Sequence, residues 1–213
     1  MKIQILIDNK SSWILNYINS LIGKISSLGH VVSLIHFSKD VAKGDVLFLL
    51  SCNRIFNELH LNKHNIVIHE SDLPEGKGFS PLTWQILEGK NSIPVSLFEA
   101  NSEVDSGDIY FREFIKLSGH ELINEIRDEQ FKITEQLILK FLKNINSLNV
   151  VEKKKNETFY RKRDQVDSVL DINKTIKEQF NLLRVVDNDR YPAYFKIKEE
   201  KYLIKISKSL NND

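Results

Sequence analysis

Apolar and polar positions along the chain keep two rhythms in turn. Ile3, Ile5, Leu6 and Ile7 make a short apolar run of strand length, the pattern of a buried strand. Behind Ser11 and Ser12, which are placed to cap a helix, Ile14, Ile18, Leu21, Ile25 and Leu28 recur at helical spacing, and Gly29 is placed to end it. Val31 to Ile35 predicts a second strand. Val46 to Leu50, after Gly44-Asp45, predicts a third, and Ile66 to Ile68 a short fourth. Strands that alternate with helices and are apolar on both faces predict a mostly parallel sheet with helices on both sides.

The second half continues in kind. Pro81 to Leu87 predicts a short helix stopped by Gly89, and Ile93 to Phe98 and Ile109 to Ile115 predict two more strands. Ser118 with Glu121 has the spacing of a capping box for a long helix striped by Leu122, Ile126, Ile133, Leu137 and Phe141. Between Asn144 and Thr158 the composition turns polar, and Lys153-Lys154-Lys155 with scattered Asn predicts a solvated linker. Beyond it Ile176, Phe180 and Leu183 stripe a helical stretch from Asp171 to Val185. Ala193 to Ile197 and Tyr202 to Ile206 predict a hairpin turning at Glu199-Glu200. The expected organisation is an α/β core over residues 1–145, a linker over 146–158, and a small C-terminal helix-and-hairpin segment over 159–213.

Composition narrows the class. With 213 residues, 41% of them apolar, the chain can bury one α/β core and still carry an appendage. Thirty Lys and Arg against 29 Asp and Glu leave a formal charge of +1, so no global field points to nucleic acid or an anionic membrane. The single cysteine, Cys52, excludes an internal disulfide and suits a reducing cytoplasm. No signal peptide or membrane-spanning stretch is expected. Asp8-Asn9-Lys10-Ser11-Ser12 after the first strand lacks the glycines of a dinucleotide cradle.

In an open α/β sheet, ligands gather outside the carboxyl ends of the strands. Three loops fall there: Ser51 to Ile55, His69 to Gly78, and Val104 to Ile109. His69 closes an apolar strand and opens a Pro- and Gly-rich loop, a place where an imidazole is partly dry yet reachable. Asp105 belongs to the same rim. A carboxylate beside an imidazole orients it and stabilises its protonated form, which is the logic of acyl transfer without a covalent nucleophile. A lone His or Asp at a strand end is more often structural. Cys52, with only Arg54 as a basic neighbour, reads as buried and inert. His60, His64 and His69 lack the partners of a zinc site, so no metal is expected.

The wording of two loops is more specific. His69-Glu-Ser-Asp-Leu-Pro-Glu-Gly-Lys-Gly-Phe-Ser-Pro81 resembles the His-x-Ser-x-Leu-Pro-x-x-(Arg/Lys)-Gly-x-x-Pro signature of folate-dependent formyltransferases. Val104-Asp105-Ser106-Gly107-Asp108-Ile109 is similar to that family's Asp-x-Gly element, and the two occur in the family's order. The resemblance covers residues 1–145 as a Rossmann-like core. It continues weakly to Lys205, through Asp167-Ser168, Asp171, Asn181-Leu-Leu-Arg184 and Tyr191-Pro-Ala193. It implies an amine attacking the formyl carbon of 10-formyltetrahydrofolate, with His69 as the catalytic histidine and Asp105 as the catalytic aspartate. It also implies a pterin slot formed by Asn53, Arg54, Ile55, Val104 and Asp105.

One position departs from the pattern. The family's asparagine two places before the histidine is Val67 here, which cannot donate to an oxyanion. Three readings stand: Asn53 supplies the amide, a protonated His69 does so, or activity is weak. Asn53 is equally well a turn residue. Lys77 is a candidate for a substrate phosphate or a solvated lysine, and Phe79 and Trp84 are candidates for stacking or for the core.

Three amine acceptors belong to the resemblance: methionyl-tRNA, glycinamide ribonucleotide and nucleotide-linked amino sugars. A tRNA partner calls for a large basic surface, which a charge of +1 does not provide. The chain as a whole looks most like formyltransferases of nonulosonic or dideoxysugar biosynthesis, a branch of glycan biosynthesis. That resemblance implies a UDP- or dTDP-linked 4-amino-4,6-dideoxy sugar as acceptor, a pseudaminic-acid intermediate being one candidate. Tyr160, Asn181 and Arg184 would hold the nucleotide or pair two subunits. The alternatives are a binding-only relative of the fold and an interaction module that dimerises through Phe180 and Leu183.

Overall fold

The computed structural model describes residues 1–153 and 156–209. Strands β1 (Lys2–Leu6), β2 (Val31–Ile35), β3 (Gly44–Leu49) and β4 (Asn62–His69) are parallel. With β6 (Ser92–Glu99) and β7 (Ile109–Lys116) they form a six-stranded sheet in the order β2-β1-β3-β4-β6-β7. The last two pairings are antiparallel. The fold is therefore the mixed α/β, mostly parallel architecture that the alternating rhythm predicts.

The two faces are covered differently. Alternate strand residues (Ile3, Ile5, Val46, Phe48, Ile66, Val95) pack against α1 (Leu15–Ser27), α2 (Pro81–Leu87) and α3 (Ile123–Asn144). The opposite set, led by Leu6, Ile35, Leu47 and Leu49, is closed by Val41, Phe56, Leu59 and Leu61 on loops and single 3-10 turns. The connections after β2 and β3 carry only short 3-10 helices on this face, at Ser38–Asp40 and Leu59–Leu61.

Several local expectations shift. The serine cap of α1 does not form: Ile14 is the capping residue, and the Ser12 hydroxyl instead shares a 2.9 Å hydrogen bond with Ser51. The Ser118/Glu121 box also falls short of its helix. Glu121 accepts from the N–H groups of Ser118 and Gly119, while α3 begins one turn later, with Glu125 accepting from Leu122 N–H at 2.9 Å. The helix expected from Asp171 survives only as α4 (Phe180–Val185). Upstream, the Gln179 side chain bonds Asp171 N–H and the carbonyls of Asp171 and Lys174, satisfying an irregular backbone that competes with helix. Ile176 stays 67% exposed.

After α3 the described residues of the expected linker are largely exposed and touch the core at Val151 and Lys153. Val151 N–H bonds Ile109 O at 2.7 Å, and Lys153 donates to Ser106 O. Lys154 and Lys155 of the expected lysine run lie outside the described residues. The short parallel pair β5 (Lys77–Gly78) and β8 (Phe159–Tyr160) then straps the C-terminal segment onto the loop that follows His69. The expected hairpin is present as β9 (Ala193–Ile197) and β10 (Glu200–Ile204). Its second strand begins two residues earlier than Tyr202.

Candidate active site

A cavity of about 520 Å³ opens at the carboxyl ends of β3 and β4 and beside the loop between β6 and β7. That volume lies within the usual range of small-ligand clefts, ~300–1,000 Å³. His69, Asp105, Asn53, Arg54, Ile55, Val104 and Val67 all line it. Residues from three separate loops thus converge on one space.

His69 is the last residue of β4 and only 8% exposed. Its Nε2 lies 2.9 Å from the carbonyl of Gly76, which can only accept, so the proton sits on Nε2 and Nδ1 keeps the lone pair. Asp105 Oδ2 lies 3.9 Å from the same Nε2, within ion-pair range of a protonated ring. That carboxylate is itself fixed by the N–H of Gly78 at 3.0 Å. Asp105 holds a left-handed backbone conformation, φ 54°. Such a conformation is costly for a residue with a side chain and persists where its surroundings impose it.

Two glycines of the signature make these approaches possible. A Cβ on Gly107 would stand 1.5 Å from Glu99 O, and one on Gly78 would stand 2.3 Å from Tyr160 O. Any side chain at either position would push the Asp105 loop or the strap away from the imidazole.

The departure at Val67 is visible as an apolar patch of the cavity wall. Asn53 is placed by its backbone, whose N–H meets the Asp8 carboxylate at 2.9 Å together with that of Arg54. Its side chain makes no hydrogen bond among the described residues, so the amide is uncommitted. Cys52 lines the cavity too, but burial and the nearby Asp8 charge push its thiol up to about 12, so it stays protonated and unreactive at neutral pH.

Other expected substrate contacts lie elsewhere. Lys77 is 2% exposed, absent from the cavity wall, and engaged by Glu103, Glu157 and Ser106, so it is neither solvated nor open to a phosphate. Tyr160 donates to Glu88 and stacks on Trp84, away from the cavity. Arg184 is fully buried, pairing Glu121 at 2.7 Å and Asn91 at 2.8 Å, and it clips α4 to the core. Asn181 sits on α4 outside the cavity wall. Of the two aromatic candidates, Phe79 lines the cavity and Trp84 does not.

The structure adds Trp13, Glu70, Arg127, Gln130, Thr134, Arg163, Asp187 and Tyr191 to the wall. Arg127, Gln130 and Thr134 recur at helical spacing on α3, a polar stripe that is visible in the sequence but easily taken for a solvent face. Arg127 pairs with Asp187 at 2.9 Å, and Gln130 donates to Glu70 at 2.6 Å. Among the described residues no cluster of His, Cys, Asp or Glu has the arrangement of a metal site, and no helix is long and apolar enough to cross a membrane.

The geometry defines a cleft with a buried imidazole facing a carboxylate, on a mixed α/β sheet. Known proteins share this fold and parts of this sequence. The methionyl-tRNA formyltransferase of Clostridium beijerinckii is 28% identical over 147 residues, 67% of this chain and 48% of that protein. That of Mycoplasma capricolum is 26% identical over 184 residues, 82% and 57% respectively. The chain spans about half the length of the curated relatives it matches. No protein-family model matches it.

Among solved structures, the methionyl-tRNA formyltransferase of Clostridium thermocellum superposes with a TM-score of 0.82 at 18% identity, covering 100% of this chain and 95% of that one. HypX from Aquifex aeolicus in complex with tetrahydrofolic acid gives 0.81 at 18%, covering 97% and 37%. A 4-N formyltransferase from Francisella tularensis gives 0.73 at 19%, covering 96% of both chains. The chain has the formyltransferase fold, and its sequence likenesses support the formyltransferase family.

Proposed function

We propose that this chain transfers a formyl group from 10-formyltetrahydrofolate to the amine of a nucleotide-linked amino sugar. The observation that carries the reading is the convergence of His69, at the end of β4, and Asp105, on the loop between β6 and β7, on the wall of one cavity. The folate donor supplies an activated formyl carbon. Ile55, Phe56 and Val104 offer apolar wall for its flat ring, and the cavity volume admits it.

The chain's own residues supply positioning and proton handling. His69, held at Nε2 by Gly76, takes the proton of the attacking amine through Nδ1 as the new C–N bond forms. Asp105 stabilises the resulting imidazolium. The uncommitted Asn53 amide donates to the developing oxyanion. When the bond to the donor nitrogen breaks, His69 returns the proton to that nitrogen. The balance is one amine and one formyl donor giving one formamide and tetrahydrofolate.

The amino-sugar acceptor is favoured by the near-neutral charge and by a cavity walled in part by the C-terminal segment, through Arg163, Asp187 and Tyr191. The sequence relatives favour a second acceptor, methionyl-tRNA. The test offers 10-formyltetrahydrofolate with a panel of UDP- and dTDP-linked 4-amino sugars, and separately with methionyl-tRNA. The expected result is release of tetrahydrofolate with a formylated sugar by mass spectrometry. Turnover with methionyl-tRNA alone overturns the sugar reading, and tight folate binding without turnover on any acceptor overturns catalysis.

A further inference from the structure

Lys77 is a buried cation with no place in the proposed chemistry. Its two chain neighbours are the groups that hold the site: Gly76 O accepts from His69 Nε2 at 2.9 Å, and Gly78 N–H donates to Asp105 Oδ2 at 3.0 Å. Its own ammonium reaches across to the Asp105 loop, 2.6 Å from Ser106 Oγ and 3.4 Å from Glu103. It also reaches the C-terminal strap, 3.1 Å from Glu157 and 5.5 Å from the ring of Phe159. Burial pulls this ammonium down, yet the pairing with Glu157 and Glu103 outweighs it and holds Lys77 above its ordinary lysine value. The cation is permanent, and the three segments meet on it.

We propose that Lys77 is a positioning residue, a buried clamp that draws the His69 loop, the Asp105 loop and the C-terminal strap together and so fixes the spacing of imidazole and carboxylate. The geometry runs in one direction. Asp105 sits in a left-handed conformation between two residues, Glu103 and Ser106, that Lys77 holds. Released from them, the Asp105 loop is free to relax away from Gly78. The clamp also makes the C-terminal segment part of the site, because Thr158 O and Tyr160 O accept from the N–H groups of Lys77 and Phe79. This role rests on the acyl-transfer reading of His69 and Asp105.

The test is Lys77→Met, which keeps the aliphatic stem and leaves Glu103 and Glu157, both already in contact with water, to be hydrated. Two readouts are taken: formyl transfer, and amide exchange of Gly78 by NMR, which reports its bond to Asp105 whether or not the substrate is right. The expected result is Gly78 exchange faster by about tenfold and kcat lower by about 10²-fold with little change in KM, since misplacement by an ångström is enough for that. Lys77→Arg is expected to recover most of both. Ser106→Ala removes the 2.6 Å bond to Lys77 together with the hydroxyl's own 3.1 Å bond to Val104 O, and should move both readouts the same way by less, which decides the matter if Lys77→Met does not fold. Wild-type exchange at Gly78 together with wild-type kcat in folded Lys77→Met overturns the clamp. If the wild type transfers no formyl group, the acyl-transfer reading falls, and faster exchange at Gly78 still supports the clamp.

Discussion

His69 is oriented by a backbone carbonyl rather than by a carboxylate alone. Gly76 O fixes the tautomer at 2.9 Å, and Asp105, at 3.9 Å, is placed to stabilise charge once the ring is protonated. The same economy applies to Asn53. Asp8 anchors its backbone, and the amide makes no hydrogen bond among the described residues. With Val67 offering no donor, Asn53→Ala should lower kcat by about 10²–10³-fold, the usual cost of one oxyanion donor. Thermal unfolding should change little, since the side chain is exposed and makes no hydrogen bond among the described residues. Unchanged turnover in that variant would assign the oxyanion to His69 or to a backbone donor. That His69, Asp105 and the loops at Asn53 to Ile55 and at Val104 share one cavity wall was legible because the two sequence signatures are written in contiguous residues. The roles of Lys77 and Arg184 were not. Each takes its partners from far along the chain, Glu157 for one and Asn91 and Glu121 for the other, and composition cannot show such pairings.

At the scale of elements, strands were easiest to foresee, because a buried parallel strand is an apolar run whatever surrounds it. Helix starts were harder. Ser12 and Glu121 both have capping chemistry, and both spend it elsewhere: Ser12 on Ser51, and Glu121 on two loop N–H groups and Arg184. Glu121 therefore couples the turn before α3 to α4. Burial raises its carboxyl, but the backbone donors and Arg184 outweigh that and bring it down to about 2 from an ordinary value of 4.5. Because the folded value is depressed, the stabilisation is complete above about pH 4.5 and is lost as pH falls toward about 2. Urea unfolding across that window should show the wild type losing more stability than Glu121→Gln. Parallel losses in the two proteins would mean that the pairing contributes nothing to folding.

For the whole molecule, one sheet carries the site, and a short C-terminal segment completes its wall. The strap at Lys77 to Gly78, the Arg184 pairing, the Arg127–Asp187 ion pair and the Lys208–Glu125 ion pair are among the contacts that tie that segment to the core. Arg163, Asp187 and Tyr191 of that segment line the same cavity as His69. The central claim is that this cavity performs acyl transfer through an imidazole and its carboxylate. Single-turnover kinetics with 10-formyltetrahydrofolate and an accepted amine, comparing wild type with His69→Ala and Asp105→Asn, tests it most directly. The account predicts a fall of about 10²–10⁴-fold in the chemical step for His69→Ala, a fall of the same sense for Asp105→Asn, and folate binding retained in both. Formyl transfer at the wild-type rate by a folded His69→Ala protein would contradict it.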